Sequence, residues 1–169
     1  LEKEDIPKSK FYANQSLNEI RYMIGSGNIN FSDDFEKMVN EIAQTFETNF
    51  GIKTNVYTAS KKIENLNKKA KTHLIRILQE SLSNISRHSN ATQVEIKIID
   101  GIDDFSFIIC DNGQGFDVKE VEQKNKTDSV KHFGLGNIKK RVNIIGGTVD
   151  FINKGGLTIA IKIKDSVYR

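Results

Sequence analysis

The 169-residue sequence holds a single cysteine, Cys110, which excludes an internal disulfide and any cysteine-built metal centre. A lone strand thiol, expected to be buried, fits a reducing compartment. No apolar run approaches the length that crosses a bilayer, and Leu1-Glu2-Lys3-Glu4-Asp5 is too acidic and mixed to open a secretory signal. Charge of one sign is scarce as well: a formal net charge of +3 makes no case for nucleic acid as a partner. Lys61, Lys62, Lys68, Lys69 and Lys71 cluster, but they read as a solvated loop and helix start. There is no glycine-lysine pair and hence no P-loop, and neither glycine pair completes a dinucleotide-binding fingerprint. The length suits one domain with a short appendage. A chain that opens on Leu1 suggests a piece of something longer.

What is present is a sequence of alternating periods. Residues 10–24 have an untidy helical pattern that Gly25-Ser26-Gly27-Asn28 breaks, so the expected division is a helical linker over 1–28 and a domain over 29–169. Ser32-Asp33-Asp34 offers a helix cap, and Phe35, Met38, Val39, Ile42 and Phe46 keep helical spacing until Gly51. Lys53 to Thr58 reads as a short strand. A long helix follows from about Lys68 to His88, with Leu74, Ile77, Leu78, Leu82 and Ile85 on its core face. The period then switches to two: Val94 to Ile98 and Phe105 to Cys110 form a hairpin around Asp100-Gly101. Residues 117–131 are polar and read as a surface loop. Leu135 to Ile145 is a helix stopped by Gly146-Gly147, and Thr148 to Ile152 with Leu157 to Ile163 makes a last hairpin. This order predicts an α/β fold: a two-layer sandwich of a mixed β-sheet covered on one face by helices.

Three segments carry chemistry. Glu80, Asn84 and His88 are spaced four apart and rise along one face of the long helix, away from its core face. The Asn84 side-chain oxygen is a hard neutral ligand suited to Mg²⁺, and Glu80 could orient a metal-bound water or accept a proton. His88 could touch a phosphate. The same face would also serve as an ordinary solvated one. Asp111 ends an apolar strand and is followed by Gly113 and Gly115. A carboxylate there can accept from an exocyclic amine such as that of adenine, with glycines letting the backbone approach. Asp-Asn-Gly is equally ordinary turn chemistry. Gly134-Leu135-Gly136 opens a helix, where free amides attract phosphate, and Lys131, His132, Lys139 and Lys140 add positive charge nearby. Together the polar helix face and the acidic glycine turn can hold a nucleotide and its metal.

In this order the segments resemble the ATP-binding catalytic domain of sensor histidine kinases, within the ATPase superfamily of gyrase, heat-shock chaperones and mismatch-repair proteins. The N box is similar to Gln79–His88, the first glycine box to Asp111–Asp117, the second to His132–Val142, and the glycine-threonine motif to Gly155-Gly156-Leu157-Thr158. The likeness spans about Phe31 to Ile163 and is greatest to the nitrate-sensor and membrane-fluidity-sensor subtype. It implies ATP and Mg²⁺ as cofactors, with Asn84 binding Mg²⁺ and Asp111 reading the adenine amine. It further implies that Gly113 and Gly115 shape the adenine pocket, and that Gly134 and Gly136, with Leu135 between them, face the phosphates under a lid of residues 117–133. His88 and Lys131 would join the ATP site, Thr158 would support the adenine end, and Glu80 would be the catalytic residue, as proton acceptor or water-orienting group. His132 and Leu157 stand where the pattern more often has glycine.

The resemblance also defines a gap. The phosphoacceptor of such kinases is a histidine usually followed by aspartate on a dimerisation hairpin, and none of His73, His88 and His132 is followed by an acid. Residues 10–24 resemble only the tail of that hairpin. The expectation is therefore a histidine kinase catalytic domain, in the cytoplasm and without direct membrane insertion. It would transfer the γ-phosphoryl of ATP to a hairpin histidine supplied from outside this stretch, in a parent homodimer that passes it to a response regulator. A stand-alone ATPase or serine kinase of the anti-sigma-factor type, and a degenerate interaction domain, are the alternatives.

Overall fold

Phe105, Phe107 and Ile109 are the inner row of the strand around which the domain is organised. In the computed structural model, which describes residues 34–115 and 133–165, the chain divides between Leu1–Asn30 and Phe31–Arg169. The expected linker over 1–28, the charges of Lys131 and His132, and all of the expected lid over 117–133 but its last residue lie outside the described residues. The elements of the second unit run α1 (Phe35–Phe50), β1 (Lys53–Ala59), a 3-10 turn (Lys62–Asn65), α2 (Lys68–His88), β2 (Gln93–Asp100), β3 (Asp104–Asp111), α3 (Phe133–Ile144), β4 (Thr148–Asn153) and β5 (Leu157–Lys164).

The helix ends follow their sequence signals. Asp34 accepts the Lys37 amide at 2.9 Å to cap α1, and Gly51, in the left-handed region at φ 68°, closes it with an amide bond to the Glu47 carbonyl. Asn67 caps α2 through the Ala70 amide at 2.9 Å. The helix α3 starts at Phe133, two residues before the apolar spacing begins, so Gly134 and Gly136 lie inside its first turn.

The five strands form one sheet in the order β1-β2-β3-β5-β4. β1 and β2 are parallel because α2 is the crossover between them, and the other neighbours are antiparallel. Register stacks apolar rows across the sheet: Ile96 opposes Ile109 and Ile109 opposes Ile159, while Phe107 lies between Ile98 and Ile161. All of these are buried. Helices cover this inner face, with the Phe35 ring edge-on to Phe107 at 6.1 Å. Lys139 of α3 lies 5.7 Å from the centre of the Phe151 ring on β4. The fold is the predicted mixed sheet with helices on one face.

Two local expectations change. Cys110 is half-buried because it points to the outer face, where its sulfur takes a 3.1 Å hydrogen bond from the Thr158 hydroxyl. Lys62 is no solvated loop residue. Its ammonium donates to the carbonyls of Gly101 and Ile102 at 2.9 Å and of Asp104 at 3.2 Å, and pairs with Asp165 at 2.8 Å. It clamps the turn of the β2–β3 hairpin. Beside it Asp100 accepts the amides of Lys61 and Lys62 and the Ser60 hydroxyl. These hydrogen bonds hold the Asp100 carboxyl below its ordinary range although burial pushes the other way.

The row through Phe107 makes a direct prediction. Phe107→Ala empties the centre of the core and is expected to cost about 3–5 kcal/mol of unfolding free energy. Tyr57→Ala, on the outer face and 59% exposed, should stay within about 0.5 kcal/mol of the parent. Urea unfolding of the two variants beside the parent decides it, and equal losses would refute the proposed layering.

Candidate functional site

Strand alternation carries a carboxylate into the core. Phe105, Phe107, Ile109 and Asp111 all face the helices, and the last is only 3% exposed. Asp111 accepts the Gly113 amide at 2.8 Å and also a backbone bond from Leu157. Burial pushes its pKa up, and the two amides pull it back without cancelling the rise. A carboxylate has roughly four lone-pair sites, so two amides leave capacity for a ligand donor.

Close backbone approach makes this arrangement possible. A side chain on Gly113 would collide with the Ser89 carbonyl and stand 2.8 Å from the Asp111 carboxylate. Gly156, at φ 125°, passes so near the Asp111 carbonyl that no Cβ fits there. The loop after Asp111 is also bonded to the connection between α2 and β2. The Asn112 side-chain oxygen accepts the Thr92 and Gln93 amides at 2.9 Å, and its nitrogen donates to the Thr92 hydroxyl at 2.9 Å.

In front of Asp111 lies a cavity of ≈ 310 Å³ between the sheet, the end of α2 and the start of α3. Ile109, Leu157 and Ile159 form its floor, Ser81, Asn84, Ile85, His88 and Ser89 one wall, and Gly134 and Leu135 the other, with Gln114 and Gly115 at the rim. It is an apolar slot with one buried carboxylate at its deep end and a polar helix face along its side. A methyl on Gly134 would stand 2.7 Å from a Glu80 carboxylate oxygen and 2.8 Å from the Asn84 amide nitrogen, so the first turn of α3 rests on those two residues. At the far end of the same helix pair Arg141 reaches the field of His73, which places α3 antiparallel to α2. Burial first, then Arg141 and Lys69, lower the His73 pKa.

The structure thus brings Asn84, His88, Asp111, Gly115, Gly134 and Leu135 around one cavity, with Gly113 behind Asp111 and Glu80 beside Gly134. Among the described residues, none outside its own helix backbone and chain neighbours comes within 4 Å of a would-be Cβ on Gly136. Thr158 is on the other side of the sheet, bonded to Cys110. Leu157 occupies the cavity end of that strand, because neighbours along a strand face opposite ways. Sequence reading missed Ser81, Ile85 and Ser89, each one position after Glu80, Asn84 and His88 and so on the adjoining helix column. It also missed Ile109 and Ile159, which the period of two places beside Asp111 and Leu157.

Among the described residues no group of three or more His, Cys, Asp and Glu side chains could hold a metal ion. Asn84 offers a single oxygen, which suits Mg²⁺ because that ion keeps waters and shares ligand phosphates instead of needing an all-protein cage. The cavity thus offers an apolar slot, a buried carboxylate with acceptor capacity to spare and a polar helix face that includes Asn84.

The chain is 38% identical over 91 residues to the signal transduction histidine-protein kinase/phosphatase DegS of Bacillus subtilis (strain 168), a match covering 54% of this chain and 23% of that protein. To the sensor histidine kinase LiaS of the same strain it is 31% identical over 103 residues, covering 61% of this chain and 27% of LiaS. The sequence thus spans about a quarter of the length of these curated relatives. In fold it resembles the catalytic domain of histidine kinase ThkA, with a TM-score of 0.60, 14% identity, and coverage of 76% of this chain and 92% of that one. Residues 69–167 match the family described as histidine kinase-, DNA gyrase B-, and HSP90-like ATPase. The chain belongs to that family, and its ATPase domain is homologous to those of sensor histidine kinases.

Proposed function

We propose that this domain binds ATP with Mg²⁺ and transfers the γ-phosphoryl group to a histidine on a dimerisation hairpin of its parent kinase. From there a response regulator would take it. One observation carries the reading: a buried carboxylate faces an apolar slot whose side wall presents Asn84, with Glu80 one turn away against Gly134. Asp111 accepts the adenine amine while Ile109, Leu157 and Ile159 pack under the ring. Asn84 would hold Mg²⁺, whose charge would offset that of the phosphates. The α3 amides near Gly134 take up phosphate oxygens. In the transfer the bond from the γ-phosphorus to the bridging oxygen breaks, a bond to an imidazole nitrogen forms, and ADP leaves. Glu80 would accept the imidazole proton. Positioning does most of the work, because phosphoryl transfer asks little covalent chemistry of the protein.

Among the described residues no helix is long and apolar enough to cross a membrane. The proposed setting is the cytoplasmic side, with the parent protein a homodimer through its hairpin.

Calorimetric titration of ATP into this chain is the primary test. Magnesium-dependent binding is expected, abolished by Asp111→Asn, whose amide would present a donor to the adenine amine. Asn84→Ala should keep nucleotide binding and lose its magnesium dependence. A folded parent chain that binds no ATP would sink the proposal.

The raised pKa of Asp111 adds a pH dependence. A carboxyl whose folded pKa lies above its ordinary 3.8 contributes stability that is full below the unfolded value and lost as pH rises through the folded value. At neutral pH the charged form therefore costs the unliganded fold. Asp111→Asn is expected to raise the melting temperature of the ligand-free chain even as it removes binding. Adenosine affinity in the parent should fall as pH drops through the raised pKa, since a protonated carboxyl loses acceptor capacity. A melting temperature lowered by Asp111→Asn, or an adenosine affinity that stays flat as the folded chain is taken from neutral pH down to the ordinary 3.8, would contradict this account.

Phosphoryl transfer itself is checked on a longer protein. A version extended through the hairpin is expected to gain acid-labile phosphate on a histidine when given MgATP, and this chain alone none. An extended, folded, nucleotide-bound protein that stays unlabelled would refute the transfer step.

A further inference from the structure

Gln114 bonds the glycine loop to the end of α2 through both its main chain and its side chain. The last carbonyls of a helix have no partner within it, and two at the end of α2 are met by this one residue. The Gln114 side-chain amide donates to the His88 carbonyl at 2.8 Å, and its main-chain amide donates to the Ser89 carbonyl at 2.8 Å. Asn84 lies one turn before His88, so a restraint on the His88 carbonyl also restrains the height of Asn84 along the helix axis. On the other side, Asp111 is joined to the same loop by the Gly113 amide.

We propose that Gln114 is a positioning residue that keeps the two ends of the nucleotide site, Asp111 and Asn84, at a fixed separation. The inference rests on the ATP reading of the cavity. The loop has a second anchor, Asn112 on Thr92 and Gln93, which holds Asp111 in place without the Gln114 side chain. Loss of that side chain therefore removes one of the two bonds to the end of α2, loosening the height of Asn84, and leaves the carboxylate where it is. A ligand that uses only the Asp111 end should barely notice. One that spans both ends should lose affinity, because its two halves no longer meet their partners together.

Two substitutions in this 169-residue chain test the idea. Gln114→Met keeps the length and removes the donor, whereas Gln114→Asn keeps the amide and removes the reach. Dissociation constants are measured for MgATP and for adenosine, with near-ultraviolet circular dichroism to confirm that each variant is folded. Both variants are expected to weaken MgATP roughly three- to tenfold, the range one lost hydrogen bond supports, and adenosine less than roughly twofold. Equal losses for the two ligands would mean that Gln114 touches the base or merely shapes the Asp111 loop, and would overturn the proposal. So would either variant keeping the parent's ratio of affinities. A parent chain that binds no MgATP removes the ATP reading and this inference with it, whereas a binding parent with unaltered variants removes the inference alone.

Discussion

A carboxylate stands in the apolar row of the sheet, and the site is built around accommodating it. Asp111 continues the inward face of Phe105, Phe107 and Ile109, where a charge without partners would cost several kcal/mol. The Gly113 and Leu157 amides reduce that cost. They reach the carboxylate because Gly113 and Gly156 have no side chains to collide with the Ser89 and Asp111 carbonyls. Take away either close approach and the carboxylate loses its partners or the chain its path. Both glycine turns, one after β3 and one before β5, are thus fixed by a single buried group, and each passes the constraint to the element that follows.

The helix α2 extends the same logic across the domain. At about 1.5 Å per residue its 21 residues reach roughly 30 Å, from the Lys62 clamp region to the cavity. One column of side chains, Leu74, Ile77, Leu78, Leu82 and Ile85, is buried in the core and prevents rotation of the helix. That fixed rotation is what directs Glu80, Asn84 and His88 toward α3 and the slot. Stability and recognition are read from two faces of one rod, so core packing sets the aim of the polar face. The charged Asp111 works the other way: on the proposed reading it serves the base, while it is unfavourable for the empty fold, an opposition found where function overrides stability.

Much of this was legible in the sequence because it is local. Helical spacing marked the core face of α2, the switch to a period of two marked β2 and β3, and Asp111 showed itself as the polar end of an apolar alternation. Thr158 was legible too but was read by motif: Ile159, Ile161 and Ile163 alternate with Thr158, Ala160 and Lys162, which already sends Thr158 to the outer face and Leu157 to the cavity. Other features were not local. The bonds of Lys62 to the β2–β3 turn join residues some 40 positions apart, and those of Gln114 to the end of α2 span 26. Such contacts depend on how two loops approach one another, and no periodicity within either loop encodes that.

The two ends of the site are held by different kinds of force. Around Asp111 the chain is tied by directional hydrogen bonds, with Asn112 and Gln114 fastening the loop to the end of α2 and the start of β2. Around Gly134 the wall is set by packing, with Leu135, Ile138, Val142 and Ile145 buried and α3 resting on Glu80 and Asn84. Directional bonds tolerate little displacement before they fail, while apolar contact changes more gradually with position. The Asp111 end therefore has the geometry of a fixed gauge. The Gly134 end has that of a surface whose fit depends on how closely α3 is seated. On the proposed reading, a domain that recognises one base, yet admits and releases its polyphosphate, gains from having the two ends held in these different ways.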